Sequence, residues 1–214
     1  MPAIDFAQVF IAFIVLLFSL TVHETAHAWT ADRLGDPTAR LMGRVSLNPV
    51  VHADLIGTVL FPLLSLVGGI PLIGWAKPVP VNLGRLKRGR TDFMLVAAAG
   101  PASNLIIALV VAAMLALLPW ESLLTGSGDV ATPLFTLLSR ALTLNVLLAV
   151  FNMLPIPPLD GGNVLGGLLP RGLATRYDAL VRPYGFMLLY ALMLTRGFEI
   201  LVYAPARFIL SWLR

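Results

Sequence analysis

Residues 6–31 read FAQVFIAFIVLLFSLTVHETAHAWTA. The run is longer than the roughly 20 helical residues needed to cross a bilayer, and Glu24 is its one formally charged residue. Near its end stands His23-Glu24-Thr25-Ala26-His27. On a helix, positions four apart lie one turn above each other on one face. His23 and His27 can therefore present two imidazoles to one metal ion. Glu24, one step round the helix, is placed to reach a water at that ion rather than the ion itself. Ionisable groups on an apolar membrane helix are costly and usually functional. The chain has 3 histidines in all, and two of them are these. The plainer reading is a pair of interfacial histidines with Glu24 extending to water.

Outward from this stretch, composition agrees with a membrane protein. Hydrophobic residues make up 58% of the chain and charged residues only 12%, about half the share in soluble domains, roughly 25%. The mean hydropathy of +0.87 leaves too little polar surface to face water alone, so lipid must solvate much of the chain. A net charge of +4 could suggest nucleic acid. The basic residues sit in loops that flank apolar runs, which is the topology signal of membrane proteins, and no nucleic-acid partner is expected. With no cysteine, a metal would have to be held by histidines and carboxylates. No Lys or Arg precedes the first apolar run, unlike a cleaved signal peptide.

Basic segments lie at 33–44, 77–90 and 171–182, whereas the loop 119–132 has Glu121 and Asp129 and no Lys or Arg. Positive charge marks the cytoplasmic side, so the three basic segments should share it and the acidic loop should lie outside. The apolar stretch 55–75, broken by Pro62, Gly68, Gly69, Pro71 and Gly74, has a basic segment at each end. A full crossing would expose one of them, which predicts a re-entrant or interfacial hairpin. Apolar runs at 93–118 and 133–154 read as spans, and 184–213 as one span or a short hairpin. The expected fold is an all-α polytopic membrane protein. It should have about four to six transmembrane helices, a re-entrant or short extended segment near the site, and a single domain over residues 1–214.

Two histidines leave a catalytic zinc short of its usual third protein ligand. His52 and the carboxylates are the candidates, and Asp160 is the best placed. It ends Asn152-Met-Leu-Pro-Ile-Pro-Pro-Leu-Asp160-Gly-Gly, where Pro155, Pro157 and Pro158 forbid a regular helix. Asp160 could turn inward from such an unwound stretch, or simply cap the next helix. His52 could stand behind the site, gate it, or be an interfacial histidine.

These motifs together resemble the site-2 protease family of intramembrane zinc metalloproteases. The resemblance rests on the His23-to-His27 motif, on the Asn152-to-Gly161 segment, and on Ala99-Gly100-Pro101-Ala102-Ser103-Asn104 between them. It covers roughly residues 8–170. It implies one Zn²⁺ held by His23, His27 and Asp160, with Glu24 as the catalytic base. Asn152 would hydrogen-bond the substrate backbone or the oxyanion. It implies cleavage of membrane-spanning or membrane-associated protein substrates within the lipid bilayer. The chain is similar to the smaller prokaryotic branch, with no residues left for a PDZ or CBS domain, and the absence of cysteine and of targeting signals suits a bacterial or archaeal inner membrane.

Two short runs, Arg44 to Leu47 and Val79 to Leu83, favour extended backbone. Pro78 and Pro80 would confine the second to a sheet edge, where an unwound substrate could add as a strand. A plain structured loop is the alternative. The rival function is a non-proteolytic membrane protein, either a metal transporter or an inactive substrate-binding homologue. A transporter would spread its polar ligands along a pathway, whereas here they gather at two motifs, and no motif residue has been lost.

Overall fold

The structure is a computed structural model that describes residues 6–61, 75–125 and 130–213. Three long helices form its centre: α1 (Phe6–Arg33), α4 (Arg90–Leu117) and α6 (Ala131–Asn152). Each is long and apolar enough to cross a membrane. Between α1 and α4 lie the short helices α2 (Thr38–Leu41) and α3 (Pro49–His52), then a wide helical turn, Leu55–Leu60. A short α5 (Trp120–Thr125) precedes α6. After α6 come α7 (Asp160–Leu168), α8 (Arg171–Leu180), α9 (Gly185–Leu194) and α10 (Ala204–Leu213). The described residues contain no strand. The Arg44–Leu47 and Val79–Leu83 runs thus remain irregular.

Helix α4 is central and packs against α1, α6 and α7. It runs antiparallel to α1, since His23 meets Asn104 and His27 meets Val96. Elsewhere on α4, Ala108, Val111 and Ala112 pack with Leu138, Leu142 and Val146 of α6 and with Ala206 and Leu210 of α10. The outward faces are apolar as well. Phe10, Phe18, Ile106, Leu109 and Phe186 are all exposed, as helices solvated by lipid require.

The three basic segments meet at one end of the molecule. Lys87 N–H donates to Leu34 C=O, Arg85 to Thr38 Oγ1, and Asn82 N–H to the Asp36 carboxylate. Arg90 pairs with Asp178. The stretch 55–75 also begins and ends in one place. Trp75 N–H donates to Gly57 C=O at 3.1 Å, and Thr58 Oγ1 donates to Trp75 C=O at 2.9 Å. The path of residues 62–74, on which the hairpin expectation falls, lies outside the described residues.

Among the described residues three helices qualify as spans, with a fourth only if the pair Arg171–Leu194 and Glu199–Leu213, bent by 88°, is one broken span. Counting that pair brings the described residues to four, the low end of the expected four to six.

Candidate metal centre

Three side chains converge where α1, α4 and α7 meet. His23 Nε2 and His27 Nε2 are 3.0 Å apart, and Asp160 Oδ2 lies 3.1 Å from the first and 3.4 Å from the second. Both histidines are buried and Asp160 is half-buried. The outer nitrogen of each ring is engaged: His23 Nδ1 donates to Asn104 Oδ1 at 2.6 Å and His27 Nδ1 to Val96 C=O at 2.7 Å. A neutral imidazole with its hydrogen on Nδ1 has a lone pair on Nε2. Two such lone pairs and a carboxylate oxygen, facing one another away from water, repel unless a cation lies among them.

The donor set suits zinc. Zinc takes imidazole nitrogen and carboxylate oxygen at about 2.0–2.2 Å in a tetrahedron, whose edges are then roughly 3.3–3.6 Å. The three observed separations, 3.0 to 3.4 Å, approach those edges. Asp160 Oδ2 is buried without a hydrogen-bond partner, as befits an atom committed to a cation rather than a proton donor. The rings also rest on Gly100, where a Cβ would run into His27 Nε2 and His23 Cε1. Helix α4 forms a cradle that only glycine leaves open.

Local chemistry explains how Asp160 arrives there. Helix α6 ends at Asn152, and Pro155, Pro157 and Pro158, the last two joined by a cis bond, keep the chain irregular until Asp160. Gly161 then passes tightly against the Met153 carbonyl, where a Cβ would collide. Asp160 is the first residue of α7, the preceding Leu159 occupies the cap, and no side chain caps the helix. Asp160 is therefore not the helix cap that the sequence also allowed.

A cavity of about 240 Å³ opens beside the three donors, lined among others by Glu24, Asn152, Pro78, Val79 and Phe93. Glu24 Oε2 accepts the Val79 N–H at 3.1 Å. Pro78, Val79 and Val81 thus form one wall although their segment pairs with no strand. Asn152 Nδ2 donates to Leu148 C=O. His52 stands apart. It is buried, and its Nε2 donates to Ser46 C=O at 2.8 Å and lies 3.3 Å from Thr25 Oγ1. It neither lines this cavity nor joins the donor group. Sequence reasoning assigned nothing to Val96 or Asn104. A polar Asn inside an apolar helix was the signal available for the second, whereas a backbone carbonyl leaves none.

Fold and donor cluster together define a helical membrane metalloprotease. The chain belongs to peptidase family M50, the site-2 protease family, whose family model matches residues 11–194. The family is zinc-dependent, and the His23, His27 and Asp160 group can hold the ion. Among curated relatives, the chain is 40% identical over 182 residues to a Bacillus subtilis (strain 168) protein named provisionally as the zinc metalloprotease YwhC. That match covers 85% of this chain and 79% of the relative. It is 31% identical over 195 residues to a protein of Mycolicibacterium smegmatis, named provisionally as the zinc metalloprotease Rip2, covering 87% of this chain and 69% of that one. No solved structure matches.

Proposed function

We propose that this protein is a single-domain intramembrane endopeptidase. It cuts membrane-spanning or membrane-associated proteins near the cytoplasmic face of a prokaryotic inner membrane. The observation that carries this reading is the shared cavity. The three donors, Glu24 and Asn152 line one cavity among helices long and apolar enough to cross a membrane. His23, His27 and Asp160 are the ligands of the zinc. When bound, zinc polarises the scissile carbonyl and makes a neighbouring water acidic.

The remaining steps fall to the chain itself. Glu24 takes a proton from the attacking water and returns it to the leaving amine. Asn152, which lines the same cavity, donates to the carbonyl oxygen as negative charge develops there. The wall of Pro78, Val79 and Val81 offers backbone groups to a substrate that must unwind before its peptide bond is exposed. His27 is only about four residues, roughly 6 Å of helical rise, from Ala31, so water has a short path from the basic end. His52 holds the 46–52 segment against α1 beside Glu24 and acts, on this reading, through the backbone of that helix.

Cleavage of a reconstituted membrane substrate should be seen with wild type and vanish with Glu24→Gln. Cleavage by the variant at the wild-type rate would exclude the mechanism. The cytoplasmic placement is tested by cysteines at exposed Arg40, Lys87 and Arg176. All three should label from the cytoplasmic side, and one labelled only from outside would overturn it.

A further inference from the structure

Behind His23 runs a chain of hydrogen bonds through three helices. His23 Nδ1 meets Asn104 Oδ1 at 2.6 Å, and Asn104 Nδ2 meets Asn145 Oδ1 at 2.8 Å. Asn145 Nδ2 in turn donates to Ser19 Oγ at 2.9 Å and to the Ala141 backbone carbonyl at 2.8 Å. Ser19, Asn104 and Asn145 have no exposed surface at all, so water cannot satisfy a different arrangement.

The chain can run in only one sense. A backbone carbonyl only accepts, so Asn145 must turn its NH₂ toward Ala141 and its oxygen toward Asn104. Asn104 must answer with its own NH₂, which leaves its oxygen for His23. The ring must then carry its hydrogen on Nδ1. Reversing either amide would set two oxygens against each other and leave buried groups unpaired. His27 reaches the same state directly, through the Val96 carbonyl.

We propose that Asn104 and Asn145 are positioning residues for metal binding. They take their sense from the Ala141 carbonyl and hold His23 with Nε2 bare toward the ion. Ser19 completes the anchor of Asn145. The inference rests on the reading of His23 as a zinc ligand. Partners of this kind typically change metal affinity about 10–100-fold when lost.

The test is a double mutant read by zinc affinity in chelator competition on purified full-length protein. Asn145→Leu frees Asn104 to turn over and should weaken zinc about 10–100-fold. Asp at position 104 offers His23 only acceptors, whatever stands at 145. Asn104→Asp combined with Asn145→Leu should therefore restore affinity to within about threefold of wild type, a fraction of that 10–100-fold loss. A double mutant as weak as Asn145→Leu, or an Asn145→Leu protein with unchanged affinity, would overturn the proposal. A role in packing alone predicts no rescue. If Asn145→Leu does not fold, ¹⁵N shifts of the histidines in metal-free wild type decide the matter. A His23 Nδ1 found without its hydrogen would refute it. Retention of zinc by His23→Ala would instead defeat the underlying ligand reading, and so separates the two failures.

Discussion

The Glu24 carboxylate accepts the backbone N–H of Val79 at 3.1 Å, joining the helix of the two histidines to the irregular wall of the cavity. Glu24 is adjacent to His23 in sequence, yet it is not one of the three side chains that converge on the centre. The proposed ligand and base are thus set apart by the turn of about 100° between neighbouring residues of α1.

That separation makes Glu24→Gln informative. Gln keeps an oxygen able to accept from Val79, so the wall should hold its place. Zinc content should stay at about one per chain, the complement of a single three-ligand site. Turnover should fall by about 10²–10⁴, the usual contribution of a general base. Metal analysis beside a cleavage assay checks both. A zinc-free Gln variant would make Glu24 a ligand and reopen the role of Asp160.

The ligands should behave differently from His52. His23→Ala, His27→Ala and Asp160→Ala each remove one of the three donors and should each release zinc to a competing chelator. His52→Ala should retain it, because His52 is bonded to Ser46 and lies near Thr25. Loss of zinc from His52→Ala with full retention by Asp160→Ala would exchange their assignments.

Gly100 offers a steric probe that alters no donor. A methyl group there meets both imidazoles, and overpacking of this kind costs about 1–3 kcal/mol. Gly100→Ala should weaken zinc by roughly 5- to 150-fold if that cost falls on the holo state. Gly172→Ala, with nothing within 4 Å of the added Cβ, is the control. Equal zinc affinity in the two variants would show that the rings do not rest on α4.

Asp36, at the basic end outside the spans, should make stability depend on pH. Burial pushes its carboxyl up. Donation from Thr38 Oγ1, Asn82 N–H and Thr38 N–H, with Arg85 nearby, outweighs this and holds it below the usual carboxylate range. A group depressed on folding stabilises fully above its unfolded value, about pH 3.9. That contribution is lost as pH falls through the lower folded value. Asp36→Asn should lower the thermal midpoint at pH 7, and the gap from wild type should close below about pH 4. A gap that widens toward acid would contradict the sign.

What the residues alone determined was periodic or compositional. The four-residue spacing of His23 and His27 puts both on one helical face wherever the helix lies. The apolar runs and their basic flanks require lipid and assign the ends of the spans before any packing is known. Asp160 was different: its sequence suited a cap and an inward ligand equally. The turn at Pro157, Pro158 and Gly161 and the packing of α7 on α4 carry its Oδ2 to within 3.1 Å of His23. Nor does the sequence reveal that Asn104, 81 positions from His23, is its partner. The same holds for the Val96 carbonyl, 69 positions from His27, and for Gly100 beneath both rings. Hydrogen-bond sense and steric clearance belong to pairs of helices, and the register between α1 and α4 exists only once the two are packed.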